Sequence, residues 1–295
     1  MPITIEPANP LRPDFVGNVS GIDLRRTLAL ADRDAIERGM DRFAVLVFRG
    51  QPLDDEAQLA FSRNFGTLEQ ATGDYTQGEQ RRLSMEINDI SNVGRDGALL
   101  ARDDRQRLFG LGNLLWHSDS SFKAVPAKYS LLSARVIPAG GGNTEFADMR
   151  AAWDTLDADT KALVEPLVCE HSQMYSRGIL GFTFDEEERR RFAPVLQRLV
   201  RTHPVTGRKS LFLASHAGAI VGWPVPEARA LLRDLIEHAT QRERVHAHVW
   251  QVDDLVMWDN RTTMHRARRY DPAERRDLHR TTVACEEPTV QQQAA

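Results

Sequence analysis

Hydrophobic and polar positions along the chain fall into blocks of helical and of alternating period. Residues 32–42 (DRDAIERGMDR) read as an amphipathic helix, and the compact apolar run 43–48 (FAVLVF) as a strand. After Pro52, the segment DDEAQLAFSRNFG opens on acidic residues and closes on Gly66, which predicts a helix. A strand is expected around 83–90. Residues 94–112 are charged and contain glycine, so they read as a long connection of the kind that serves as a functional lid. β-like segments follow at 114–122, 129–137 and 143–147, the last after the turn Gly140-Gly141-Gly142. Helices are predicted over 149–164, near 185–199 and over 226–238, where PEARALLRDLIEH repeats its leucines and isoleucine at helical spacing. Alternation returns at 245–252, 255–258 and 280–284. Strands on both sides of a helical stretch predict one β-rich core: a single domain over 1–295 with a helical insertion around 149–240. No linker rich in Pro, Gly or Ser divides it, no internal repeat is present, and the one low-complexity segment is the tail VQQQAA.

Composition narrows the class. The 295 residues carry 38 Lys plus Arg against 42 Asp plus Glu, a net charge of −4, and 41% are hydrophobic. These are values of an ordinary globular protein with ample chain for a core. Without a chain-wide basic field, a nucleic-acid partner is excluded as the expectation. No apolar stretch approaches the length of a membrane span. The first residues, MPITIEPANPLRPDF, lack the apolar core of a signal peptide. The two cysteines, Cys169 and Cys285, fit reduced thiols better than a disulfide. The expected compartment is the cytoplasm.

Nine histidines raise the question of metal ligation. In LLWHSDSSF, a β-like context, His117 and Asp119 would share a face and could occupy adjacent positions of a metal. A surface or hydrogen-bonded pair is the plainer reading. His265, in WDNRTTMHRARRYD, is the best third donor, although a lone histidine there also suits a core role. What adds weight is Arg276 and Arg280 close behind it, in RRDLHRTTV. On a strand, positions 276, 278, 280 and 282 share a face, and two guanidiniums directed into one pocket repel unless anions bind there. The alternative is a solvated basic face, since Arg266, Arg268, Arg269 and Arg275 crowd the same region. Two histidines and one carboxylate form the facial triad of non-haem iron(II) oxygenases, whereas zinc more often takes three or four His and Cys ligands. An α-keto dicarboxylate could chelate such a metal at one end while Arg276 clamps the other, with the Thr144 hydroxyl beside it. No phosphate loop, Ser–His–Asp pattern or cysteine cluster competes, and His246 with His248 has no supporting acid.

The runs LWHSDSSF, GGGNTEFADMRAA and LVMWDNRTTMHRARRYD, followed by Arg276 and Arg280, resemble the taurine dioxygenase-like family of Fe(II)- and 2-oxoglutarate-dependent enzymes. The resemblance runs from VSGIDLR and VLVFRGQPL to the last strand. Within the family, VLVFRGQPL, DISNV, TEFADMRAA, EHATQRE and WDNR read most like the 2,4-dichlorophenoxyacetate dioxygenase branch. The resemblance implies a double-stranded β-helix (a cupin-like jelly roll), mainly β with flanking helices, and a homo-oligomer. It implies His117, Asp119 and His265 as iron ligands, Thr144 and Arg276 as the binders of the distal 2-oxoglutarate carboxylate, and Arg280 as the receiver of the substrate anion. Asn113 and Ser120 match positions lining the same pocket, and His216 and Arg177 lie in segments near the substrate. The implied reaction consumes O2 and hydroxylates the carbon next to the ether oxygen of an aryloxyalkanoate, releasing a phenol and glyoxylate with succinate and CO2. Sulfonate-using members carry a histidine where this chain reads FGTLEQATGDYTQ without one, and the phenoxyacetate branch carries a lysine nearby, whereas this chain has none between Gly66 and Arg82. The competing expectations are an alkylsulfonate or alkylsulfate dioxygenase, and a non-catalytic jelly roll that binds a metal or a small acid.

Overall fold

The structure is a computed structural model that describes residues 2–71 and 81–291. Residues 72–80, which include the end of the stretch FGTLEQATGDYTQ, and the end of the polar tail lie outside the described residues. The first part of the chain forms β1 (Thr4–Pro7), β2 (Val16–Ser20), α1 (Leu30–Phe43), β3 (Val45–Phe48), α2 (Asp55–Ser62), β4 (Asn88–Ser91), α3 (Arg105–Gly110), β5 (Ala127–Val136) and β6 (Thr144–Asp148). The middle part forms α4 (Met149–Asp154), α5 (Ala158–Val164), β7 (Val168–His171), α6 (Gln173–Ile179), α7 (Glu186–Arg191), β8 (Val195–Arg198), β9 (Val200–Thr202), β10 (Lys209–Leu211), β11 (Ala217–Ile220) and α8 (Val225–Ala239). The last part forms β12 (Val245–His248), β13 (Leu255–Asp259), β14 (Thr263–Ala267) and β15 (Asp277–Ala284).

Seven strands make the larger sheet, in the order β1-β2-β3-β13-β5-β15-β4, and β12-β6-β14 make a second sheet. Strand alternation divides the core. Leu46, Phe48, Leu131, Leu255 and Met257 pack on one face of the large sheet against Ile36 and Met40 of α1 and Phe61 of α2. Their neighbours Val45, Val47, Leu132, Val256, Trp258 and Leu278 point to the other face, where they meet Phe146 of β6. The Phe146 and Trp258 rings lie 5.4 Å apart, so the two sheets face each other across an apolar layer. This is the double-stranded β-helix with flanking helices, and the next open space between the sheets holds the site.

The termini of the helices follow from their caps. Asp54 accepts the Ala57 amide at the start of α2, and α1 ends where Ala44 turns left-handed at φ 63°. Several expected elements differ. Residues 115–122 are not a strand; His117 makes only an isolated bridge to His265, and the turn at Ser120 (φ 54°) ends it. The expected helix near 185–199 stops at Arg191, and β8 follows. The insertion around 149–240 is not helical alone: two small sheets, β11-β7-β8 and β10-β9, alternate with its helices. Strands of three or four residues are too short to show a period of two against a charged background. The connection over 94–112 carries α3 and a 3-10 turn at Leu111–Leu114. Both cysteines are free thiols. Among the described residues, no helix is long and apolar enough to cross a membrane.

Candidate active site

His117, Asp119 and His265 converge between the sheets, all three buried, with one potential ligand atom from each lying within 4.8 Å of the others. Two main-chain hydrogen bonds lock the bridge between them: His117 N–H donates to His265 O at 3.0 Å, and His265 N–H to His117 O at 2.8 Å. The sequence reading placed His117 and Asp119 on one face through strand alternation. The turn after His117 does this instead, and the Asp119 N–H is pinned by Asn260 Oδ1 at 3.0 Å.

Orientation comes from the neighbours. His117 Nδ1 donates to the Leu115 carbonyl at 2.7 Å, which leaves Nε2 free as a lone-pair donor. Asp119 Oδ2 accepts from the Ser130 hydroxyl at 2.7 Å, and Ser130 Oγ accepts in turn from Asn260 Nδ2 at 2.9 Å. The Trp258 indole donates to Asn260 Oδ1 at 3.1 Å, which completes a buried relay behind the carboxylate. Burial lowers the His117 pKa, and it holds His265 well below the ordinary histidine value, with His117 adding to the effect. Burial would raise Asp119, but the Arg280 guanidinium, the two imidazoles and Ser130 outweigh it and bring it down to about 2. At neutral pH the set is therefore two neutral imidazoles and one carboxylate, the forms a divalent cation takes up without displacing protons.

A cavity of about 620 Å³ opens from this cluster, and Asn113, His117, Asp119, Ser120, Arg177, His216, Arg276 and Arg280 all line it. Arg276 is 4% exposed, and among the described residues its guanidinium donates to two main-chain carbonyls: Gly142 O at 3.2 Å and Ile90 O at 3.3 Å. Gly142 (φ 68°) lets it approach, since a Cβ there would lie 3.3 Å from Arg276 Nε. The Tyr270 ring covers the cation, with 5.6 Å between guanidinium carbon and ring centroid. Among the described residues Arg276 has no carboxylate partner. Burial pulls its pKa down to about 10. A buried cation without an anion is costly, so this cradle suits a carboxylate ligand.

Arg280, on the same side of β15, donates to Asp119. Thr144 is buried on β6 but does not line the cavity; its hydroxyl accepts from the Trp250 indole at 3.0 Å, which leaves its own proton to donate. The Ser120 side chain turns to Glu69 Oε2 at 2.6 Å, an oxygen that also holds Lys123. Asn113 sits at the end of the 3-10 turn, half-buried. His216 Nδ1 is 2.9 Å from Ser176 Oγ. With the Ser176 proton on Gln173 O, and Arg177 donating to the same oxygen, His216 Nδ1 is the donor to Ser176 and Nε2 is left as an acceptor. Arg177 stacks on Phe109 at 4.5 Å.

Several members of the site carried no signal in the sequence. Ser130 and Asn260 are 130 residues apart and meet only through the pairing of β5 with β13. Ser176, Tyr270 and Asn92 act through main-chain or ring contacts that residue type does not announce.

The fold and the donor set define a metal-binding double-stranded β-helix with a three-donor face and an arginine-lined cavity. The model of the taurine catabolism dioxygenase TauD, TfdA family matches residues 7–282, and the chain belongs to that family. It is 51% identical over 277 residues to the alpha-ketoglutarate-dependent 2,4-dichlorophenoxyacetate dioxygenase of Cupriavidus pinatubonensis, covering 94% of this chain and 96% of the relative. It is 38% identical over 289 residues to the (S)-phenoxypropionate/alpha-ketoglutarate-dioxygenase of Sphingobium herbicidovorans, with 93% of each chain covered. The solved structure of AAD-2 in complex with Mn(II) and N-oxalylglycine superposes with a TM-score of 0.94 at 59% identity, covering 98% of this chain and all of that one.

Proposed function

We propose that the protein is an Fe(II)- and 2-oxoglutarate-dependent dioxygenase that hydroxylates the carbon next to the ether oxygen of an aryloxyalkanoate. The observation that carries this reading is the buried Arg276, which has no carboxylate partner among the described residues and shares one cavity with the His117, Asp119 and His265 donor set. Those three residues would hold the metal, which supplies oxygen activation coupled to the oxidation of 2-oxoglutarate to succinate and CO2. Arg276 would clamp the distal carboxylate of 2-oxoglutarate, with the Thr144 hydroxyl donating beside it. Arg280, next to Asp119, would receive the substrate carboxylate and so place the neighbouring carbon close to the metal position. Asn113, Ser120, Arg177 and His216 would shape the rest of that pocket. With its Nδ1–H fixed on Ser176, His216 offers the substrate an acceptor. Phe109 and Phe122 line the same cavity and would give the substrate an apolar wall. Hydroxylation there produces a hemiacetal, which collapses to a phenol and, for an acetate side chain, glyoxylate.

We also take residues 1–295 to act as one domain, and the protein to be a cytoplasmic homo-oligomer that uses a small anionic substrate. Incubation with Fe(II), 2-oxoglutarate and a panel of aryloxyalkanoates should yield succinate and a phenol in equal amounts. Sulfite or sulfate release from alkyl sulfonates or sulfates, without phenol, would assign the chain to the sulfur-substrate branch. Failure to form succinate with any of them would leave a binding protein.

A further inference from the structure

The face of β15 turned away from the cavity carries a charge network that the chemistry above does not use. Arg82 lies in the segment leading into β4, and its side chain is only 16% exposed. Its guanidinium spans two strands. Nε and Nη2 reach the two oxygens of Asp89 on β4, both at 2.8 Å. Nη1 and Nη2 reach the two oxygens of Asp277 on β15, at 2.9 and 2.5 Å. One planar fork thus binds two carboxylates bidentately, which the point charge of a lysine cannot do. Asp277 also accepts from Arg275 at 3.0 Å, and His279 Nε2 lies 3.3 Å from it.

The network reinforces a short edge strand. β4 is four residues long and, among the described residues, forms the edge of the large sheet and pairs with β15 alone. Yet β4 and the residue after it aim Arg276. Ile90 O accepts from the Arg276 guanidinium at 3.3 Å. Asn92 Oδ1 accepts the Arg276 N–H at 2.9 Å, and Arg276 O accepts the Asn92 N–H at 3.2 Å. A shift of β4 along or away from β15 therefore moves the carbonyl that orients the buried cation. Displacements of about 1 Å in such supporting groups can cost up to 100-fold in function.

We propose that Arg82 is a positioning residue for co-substrate binding: by fastening Asp89 of β4 to Asp277 of β15, it sets the place of the Arg276 guanidinium. This rests on the reading of Arg276 as the clamp for a 2-oxoglutarate carboxylate. The test uses the full chain with Mn(II), and measures N-oxalylglycine affinity by calorimetry for Arg82→Gln, Arg82→Lys, Asp89→Asn, Asp277→Asn and the double variant Arg82→Gln/Asp277→Asn. Mn(II) affinity and the melting temperature are measured alongside. Arg82→Gln should weaken N-oxalylglycine roughly tenfold with Mn(II) affinity little changed. Arg82→Lys should recover only a small part of the loss, and the double variant should be no worse than the worse single one. Asp89→Asn cuts the same link from the other strand and decides the matter if Arg82→Gln fails to fold. Unchanged N-oxalylglycine affinity in a folded variant, additive losses, or an equal loss of Mn(II) binding would overturn the proposal. If the unaltered protein binds Mn(II) but not N-oxalylglycine, the co-substrate reading itself falls, and the proposal with it.

Discussion

Replacing Arg276 by methionine should leave the ligand-free protein about as stable as before, while destroying its hold on 2-oxoglutarate. Burial brings the guanidinium from its ordinary 12.5 down to about 10. At about 1.36 kcal/mol per tenfold change, the buried charge costs the fold roughly 3 kcal/mol. The two long hydrogen bonds to Gly142 O and Ile90 O return about 1 kcal/mol each. The Tyr270 ring returns about 1 kcal/mol more, so with methionine keeping the apolar stem the two sides nearly balance and the melting temperature should stay within about 3 °C of the parent. A buried arginine paired with a protein carboxylate would behave oppositely and lose about 3–5 kcal/mol on removal. A ligand carboxylate that meets this cation regains most of what burial cost. Its loss should therefore weaken N-oxalylglycine or 2-oxoglutarate by about 100-fold. Melting curves with and without Mn(II) and N-oxalylglycine read both effects at once: the variant's baseline should hold, and the ligand-induced increase should vanish. A baseline that falls by several degrees, or a ligand response that survives, would refute the argument that Arg276 is an anion receptor awaiting its anion.

Other expectations follow from the same geometry. His117→Ala should abolish metal-dependent succinate formation and lower Mn(II) affinity while the circular dichroism spectrum stays that of the parent; an active variant would remove His117 from the donor set. Chelation of the metal should stop turnover, and Fe(II) should restore it. Arg280→Gln should raise the substrate KM by about 100-fold and leave the 2-oxoglutarate KM nearly unchanged; the reverse pattern would mean that Arg276 and Arg280 have exchanged roles. Burial alone would lower the His279 pKa, but Asp277 and Asp55 raise it above 6.5, opposed by Arg135. Because the folded value is the higher one, His279 stabilises the fold fully below pH 6.5, and that contribution is lost as pH rises through the raised value. The stability gap between the parent and His279→Gln should shrink as pH rises past 6.5, and a gap that widens would reverse the assignment.

What could be read from the sequence, and what could not, follows from how far each signal reaches along the chain. Residues 43–48 and 255–258 announced themselves because their strands are buried on both faces, and apolar side chains fill every position. α8 showed its spacing because Leu232 and Leu235 face the core while charges face water. His117, Asp119, His265, Arg276 and Arg280 were singled out as residue types in short motifs; the structure brings the first three within ligand distance of one another and lines the adjoining cavity with the two arginines. The geometry joining them was not legible. Strand alternation was the wrong reason for the shared direction of His117 and Asp119, because the turn after His117 is pinned by a hydrogen bond from the Asp119 N–H to Asn260 Oδ1, 141 residues away. Thr144 was expected beside Arg276; its hydroxyl accepts from the Trp250 indole, 106 residues away, a contact no local spacing announces, and keeps its own proton to donate. The same limit applies with more force to Arg82. Its two carboxylates are 7 and 195 residues distant, and neither spacing has a period. A network of that kind leaves no trace in local pattern, yet it fixes the edge strand on which Arg276 depends. Residues that perform chemistry are constrained by type and stand out in sequence, whereas residues that hold them are constrained by contact and become visible only in three dimensions.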